Sequence, residues 1–347
     1  MDERVDRMTW KAPTDWLCIK SIDAHTAGEP LRVVTEGWPD MPGDTILAMR
    51  EHARVHHDHL RRVIILEPRG HADMYACLLV PPVTPDGDVG VLFLHNAGYS
   101  TMCGHGIIGL VKVGLDCGLL DAEGDEPEIR IDTPAGRVTA TAHRGGGDTV
   151  ETVSFLNVPS FLLERDLVVE VDGIGRVTCD IGYGGAFYAY VDARSVGVDI
   201  GPDAFSRIVD VSMRIKRAVM ASYEIVHPDG DPDLNFLYGT ILHQPGDGDV
   251  HSRNVCVFAD GEVDRSPTGT GVSGRAAILH AQGEMAAGAI TIESIIGTRF
   301  DVSVHEETSV GGRDAIIPNV SGTAHITGRH EFFVDPSDPL AGGVLLR

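Results

Sequence analysis

Hydrophobic and polar residues alternate in short runs along most of the chain, and the period lengthens to that of a helix in only a few places. The alternating runs carry Val, Ile, Thr and Tyr and end at Gly, Pro or Asp, which predicts strands. They fall at 16–25, 30–37, 63–68, 74–81, 90–96, 128–136, 137–144, 152–159, 167–182, 186–193, 236–244, 252–261, 289–297, 300–307, 315–322 and 324–328. Helical spacing predicts a helix over 44–62 with Asp44 as its cap and an amphipathic helix over 201–222. Two further helices, over 104–120 and 271–285, are largely apolar, and each follows a glycine-rich loop.

Those two loops look alike. The first runs His95-Asn96-Ala97-Gly98-Tyr99-Ser100-Thr101-Met102-Cys103-Gly104-His105-Gly106; the second runs Asp264-Arg265-Ser266-Pro267-Thr268-Gly269-Thr270-Gly271. Each sets a nucleophile-type side chain just before a glycine at the start of a helix, a thiol at Cys103 and only a hydroxyl at Thr268. A helix start offers unpaired N–H groups and a positive dipole end. Two such starts facing each other would cradle one carboxylate, with Gly104 and His105 serving from one side and Gly269 and Thr270 from the other. The same position lowers a thiol's pKa, so Cys103 is expected as a thiolate. A hydroxyl is a far weaker base, so only one face of the bound carbon meets a competent one. Asp264 suits an ammonium or secondary amine beside that carboxylate, or is simply a turn-forming residue.

Other patterns point elsewhere. Gly269-Thr270-Gly271-Val272-Ser273-Gly274 matches the glycine fingerprint of dinucleotide sites, with Glu293 at about the expected distance. However, residues 261–268 separate the preceding strand from the first glycine, and the tight strand-to-loop junction is missing. His52, His56 and His59 would share a face of the first helix, but interleaved arginines favour a solvated or interface helix over a metal site. His25 and His71 border glycine-rich turns, and either fits a cleft.

A chain of 347 residues that is 43% hydrophobic has apolar material for two cores. The order of elements repeats loosely, so two similar α/β lobes with the site between them are expected, 1–160 with a returning tail from 333, and 161–332. The net charge of −23 argues against nucleic acid or an anionic membrane as partner, and means that an anionic substrate must be captured by a local site. The charged start and the lack of a long apolar run predict neither a leader nor a membrane span, and scattered cysteines without a C-x-x-C pair predict reduced thiols in a cytoplasm. Besides Cys103, the other five cysteines are expected as small buried hydrophobes.

On the two loops, and on Asp23-Ala24-His25-Thr26-Ala27-Gly28-Glu29-Pro30, Glu67-Pro68-Arg69-Gly70-His71 and Gly184-Gly185-Ala186-Phe187-Tyr188, the chain resembles the proline racemase family over nearly its whole length. That family includes 4-hydroxyproline 2-epimerases and trans-3-hydroxy-L-proline dehydratases. The resemblance implies a fold of the diaminopimelate-epimerase type, two lobes that each wrap a β-barrel around a central helix, with the tail returning to the first. It carries binding roles onto Gly104, His105, Asp264, Gly269 and Thr270, and implies an imino-acid substrate, no metal or organic cofactor, and a homodimer. Racemases of the family have cysteine in both loops. Thr268 departs from them in the manner of the dehydratase branch, in which Cys103 would remove the α-proton and the 3-hydroxyl would leave as water to give Δ1-pyrroline-2-carboxylate. Three other readings stand beside it: a racemase or epimerase, a cysteine hydrolase with an oxyanion hole of glycine N–H groups, and an imino-acid binding protein without catalysis.

Overall fold

The computed structural model describes residues 10–229, 232–285 and 288–346. In the first part the order is β1 (Leu17–Thr26), β2 (Glu29–Glu36), α1 (Ile46–His56), α2 (Asp58–Ile65), β3 (Ala76–Val80), β4 (Val89–His95), β5 (Gly98–Ser100), α3 (Gly104–Asp116), β6 (Glu128–Thr133), β7 (Gly136–His143) and β8 (Thr152–Leu156). The second part continues with β9 (Phe161–Val171), β10 (Gly175–Tyr183), β11 (Phe187–Asp192), α4 (Phe205–Ser222), β12 (Leu237–Pro245), β13 (Ser252–Phe258), β14 (Glu262–Val263), α5 (Gly269–Gln282), β15 (Ile290–Glu293), β16 (Arg299–Val310), β17 (Arg313–Gly322) and β18 (Ala324–Val334).

Hydrogen bonding links these strands into one curved path. β18 flanks β1, and β2, β3, β4, β6, β7 and β8 follow in turn. β8 continues onto β17, and from there the path runs through β16, β15, β13, β12, β11, β10 and β9. Each arc curls around one apolar helix: α3 packs on β1, β2, β18, β7 and β8, and α5 packs on β9, β10, β16 and β17. This is the pair of helix-centred barrels expected from the sequence. The chain re-enters the first arc at Ala324 through β18, where the sequence placed that return at 333.

Burial follows the pleat. β7 alternates strictly, with Val138, Ala140 and Ala142 inward. β4 is buried throughout because both of its faces are covered. Val91 and Phe93 face the main core around the central helices, while Leu92 and Leu94 face the smaller core under α1 and α2.

The helix expected over 44–62 is two helices. The cap is Thr45, whose hydroxyl accepts from Ala48 N at 3.0 Å, and not Asp44. The backbone breaks at His57 (φ −129°, ψ 13°), and α2 takes up Val63–Ile65, expected as strand. A short apolar run fits either structure, and burial against β4 decides it here. The break puts His59 on a different helix from His52 and His56, and no metal-binding group of His, Cys, Asp or Glu occurs among the described residues. Cys77, Cys179 and Cys256 are buried as expected, but Cys18 is half-buried and Cys117, at the end of α3, is exposed. Glu293 is held by Arg253 at 2.8 Å, so it does not serve a dinucleotide ribose. Among the described residues no helix is long and apolar enough to cross a membrane.

Candidate active site

The two barrels bring the starts of α3 and α5 together. A Cβ placed on Gly104 would lie 2.4 Å from the Cα of Gly269, and one on Gly269 would lie 2.5 Å from the Cα of Gly104. Only glycine on both sides permits that approach. The first N–H groups of both helices therefore converge on one place, as free donors that their own helices cannot use.

Around this junction is a small cavity lined by Tyr75, Met102, Cys103, Gly104, His105, Tyr188, Tyr238, Phe258, Asp264, Thr268, Gly269 and Thr270. It unites all seven residues singled out from the sequence: Cys103, Gly104, His105, Asp264, Thr268, Gly269 and Thr270. His25 and His71 are not among its lining residues; each accepts from a backbone N–H of its own turn, Gly28 N and Asp73 N respectively. The aromatic wall of Tyr75, Tyr188, Tyr238 and Phe258 was not foreseen as part of the site, although Tyr188 ends one of the family motifs. Its members sit in or beside strands whose pattern already accounts for them as core, so no local signal marks them.

Cys103 caps α3 from an extended backbone (φ −147°, ψ 109°), and its Sγ accepts from Gly106 N at 3.3 Å. His105 Nδ1 lies 3.2 Å from the same sulfur and 4.0 Å from Asp264 Oδ2. Cys103 is 5% exposed. Burial, with the Asp264 and Glu29 carboxyls nearby, pushes the thiol well above its ordinary range, while the Gly106 N–H and the Tyr75 hydroxyl oppose this. The helix start alone predicted the reverse; at this buried position, desolvation wins. Burial also lowers His105, against the pull of Asp264 and of a hydrogen bond to the Pro30 carbonyl, so its imidazole is neutral. Thr26 holds the same residue by donating to its carbonyl at 2.8 Å.

Asp264 follows β14 directly, and its Oδ1 accepts from Ser266 N at 2.7 Å, the turn geometry foreseen for it. Its other oxygen faces the cavity side occupied by His105. Thr270 Oγ1 is fixed by the Tyr188 hydroxyl at 2.7 Å, and Tyr190 donates to Gly271 O at 2.8 Å. The Gly184-Gly185 turn presses on the same helix, since a Cβ on Gly184 would meet Thr270 O at 2.2 Å.

An ion-pair cluster ties the two halves beside the cavity. Arg265 donates to Asp73 at 2.7 Å, and its backbone N–H donates to Glu29 at 2.7 Å. Glu29 is fully buried, and burial together with Asp264 raises its carboxyl well above the usual range. Arg61 of α2 anchors the first loop by donating to the carbonyls of His95 and Asn96 at 2.6 and 2.8 Å.

The sequence profile of the proline racemase family matches residues 21–345. The chain belongs to the proline racemase family. Within it, the chain is 46% identical over 334 residues to a trans-3-hydroxy-L-proline dehydratase of Colwellia psychrerythraea, covering 96% of this chain and 94% of that one. It is 44% identical over 331 residues to a 3-hydroxyproline 2-epimerase of Burkholderia multivorans, covering 95% and 98%. Among solved structures, a hydroxyproline epimerase of Agrobacterium vitis with bound trans-4-hydroxy-L-proline superposes with a TM-score of 0.89 at 31% identity, over 95% of this chain and 96% of that one.

Proposed function

We propose that the protein is a trans-3-hydroxy-L-proline dehydratase, a hydro-lyase acting without a cofactor. The observation that carries this reading is the asymmetry of the junction: a thiol at the start of α3 and a threonine at the equivalent place on α5. The name of the Colwellia psychrerythraea relative supports it.

In this reading the substrate carboxylate accepts the N–H groups of Gly104, His105, Gly269 and Thr270, and Asp264 pairs with the ring ammonium. In trans-3-hydroxy-L-proline the α-hydrogen and the hydroxyl share a ring face, so one base on that face starts the elimination. Cys103 is that base. The ammonium brings positive charge to a thiol that burial holds protonated in the empty cavity, and favours its ionisation. The converging N–H groups stabilise charge as it spreads from Cα into the carboxylate. No electron sink beyond the carboxylate is invoked. Thr268 faces the carbon from the other helix start and adds no competent base. Cys103 must stay reduced, which suits a cytoplasmic location. We also propose two folding units, residues up to 160 with the strand from Ala324 onward, and 161–323 between them, each closed around its own helix.

Proton NMR of trans-3-hydroxy-L-proline with the purified protein in D2O tests the reading. Loss of the C3 carbinol signal with formation of pyrroline-2-carboxylate is the expected result. The name of the Burkholderia multivorans relative favours a second reading, epimerisation at Cα. Loss of the α-signal with C3 intact and appearance of the cis isomer would establish that one instead.

A further inference from the structure

The dehydratase reading leaves one atom unassigned: the proton that the departing hydroxyl needs to leave as water. His105 is poorly suited to give it. Its imidazole is neutral, with a single N–H to offer, and a hydrogen bond to the Pro30 carbonyl engages the ring. Its Nδ1, 3.2 Å from Cys103 Sγ, is engaged with the base and not with the leaving group. Thr270 is tied to Tyr188, and Thr268 belongs to the other helix start.

Tyr75 remains. It lies just before β3, is 1% exposed and lines the cavity. Its ring stands edge-on to His105 with centroids 4.7 Å apart, it lines the cavity together with Cys103, and its hydroxyl opposes the rise of the Cys103 thiol's pKa. Behind it gather the Ser100 and Tyr238 hydroxyls, and Ser100 is itself oriented by donating to Met102 O at 2.9 Å. The cavity thus has a phenol on the same side as the base. That is also the side from which a 3-hydroxyl syn to the α-hydrogen must depart.

Resting on the dehydratase reading, we propose that Tyr75 is the general acid of the elimination and that Cys103 restores its proton. Cys103 thiolate takes the α-hydrogen, forming S–H and leaving the electron pair at Cα. That pair closes the C2–C3 double bond as the C3–O bond breaks, and the oxygen takes the Tyr75 proton and leaves as water. The Cys103 S–H then returns its proton to the neighbouring Tyr75 phenolate. The substrate has lost H and OH in the sense of one water, the α-hydrogen now sits on the Tyr75 hydroxyl ready for the next turnover, and thiolate and phenol are both regenerated. Burial holds the Tyr75 hydroxyl well above its ordinary range, which keeps its proton on the phenol until the leaving group takes it.

The test is Tyr75→Phe, which keeps the ring and its packing, assayed in D2O beside the parent protein. Dehydration of trans-3-hydroxy-L-proline should fall on the order of 100-fold or more, the usual effect of removing a general acid. Deuterium should still enter Cα of the unreacted substrate, because Cys103 is intact. With trans-3-chloro-L-proline, whose leaving group needs no proton, the variant should eliminate chloride within a few-fold of the parent. Dehydration that stays within a few-fold of the parent overturns the proposal, as does an equal loss with hydroxyl and chloro substrates. A parent protein that releases no water from the hydroxyl substrate sinks the dehydratase reading and this proposal with it. A fault confined to the variant sinks the role of Tyr75 alone.

Discussion

At the start of α3 the backbone is extended, and the Cys103 sulfur turns back to cap its own helix at Gly106 N. At the start of α5 the equivalent residue, Thr268, lies at φ +69° and caps nothing. Its hydroxyl sits against the Cys256 thiol, and its backbone is held by Ser266 Oγ at 3.1 Å and by Val272 N at 2.7 Å. A left-handed φ is unusual for a β-branched residue and stores strain that the surroundings must hold. The two loops share an architecture and divide its uses: one turns a thiol onto its own helix start, and the other holds a strained backbone whose threonine caps nothing. Likeness of the loops therefore does not mean likeness of the two faces presented to the substrate.

The comparison breaks most completely at the thiol. Cys103→Ala should abolish α-proton exchange and dehydration together, a loss of roughly 10³-fold or more, because it removes the nucleophile-type group outright. NMR in D2O reads both steps, and the proposed assignment fails if the variant still dehydrates. Next come the glycines. Ala at Gly104 or at Gly269 would drive a methyl into the opposing helix start at 2.4 or 2.5 Å, so both should lose substrate affinity and turnover by roughly comparable factors. A large loss at one and none at the other would mean that a single helix start holds the carboxylate.

Asp264→Asn should act mainly on KM, raising it about 10-fold or more for imino acids while the protein stays folded, since a charge-assisted hydrogen bond is lost. The pH profile is a finer probe. The base works only when deprotonated, and burial raises its pKa in the free enzyme, so kcat/KM should climb with pH through and beyond the ordinary thiol range. A plateau already at neutral pH would show that the helix start outweighs desolvation. The smallest expected effect on dehydration is that of Thr268→Cys, which should leave its rate within a few-fold. The informative readout is chiral chromatography, where this variant should gain slow formation of the cis epimer.

The motif residues were legible because their chemistry is written locally. Cys103, Gly104 and His105, or Thr268, Gly269 and Thr270, are each contiguous, and a helix start after a glycine loop has a sequence signature. The head-to-head meeting of Gly104 and Gly269 was inferable only from the doubling of that signature. Tyr75, Tyr238 and Phe258 were not legible, since a strand aromatic facing a core and one facing a substrate obey the same pattern. The division of the first helix at His57 was hidden for a similar reason. Val63–Ile65 is apolar enough for strand or helix, and its environment comes from β4, distant in sequence. The rise in the Cys103 pKa comes first from burial under segments distant in sequence, with Asp264 and Glu29 adding to it, which no local rule supplies.

The clasp of Arg265 on Glu29 and Asp73, together with a cavity whose thiol is 5% exposed, has a consequence for kinetics. A sulfur this little exposed leaves scant room for an imino acid, so the halves are expected to part as substrate enters, a gate with its own rate. The gate also shields the thiol. An alkylating reagent meets Cys103 only in the open form, and its rate of labelling becomes a clock for opening. Substrate-sized carboxylates should slow that clock, and loosening Arg265 should speed it.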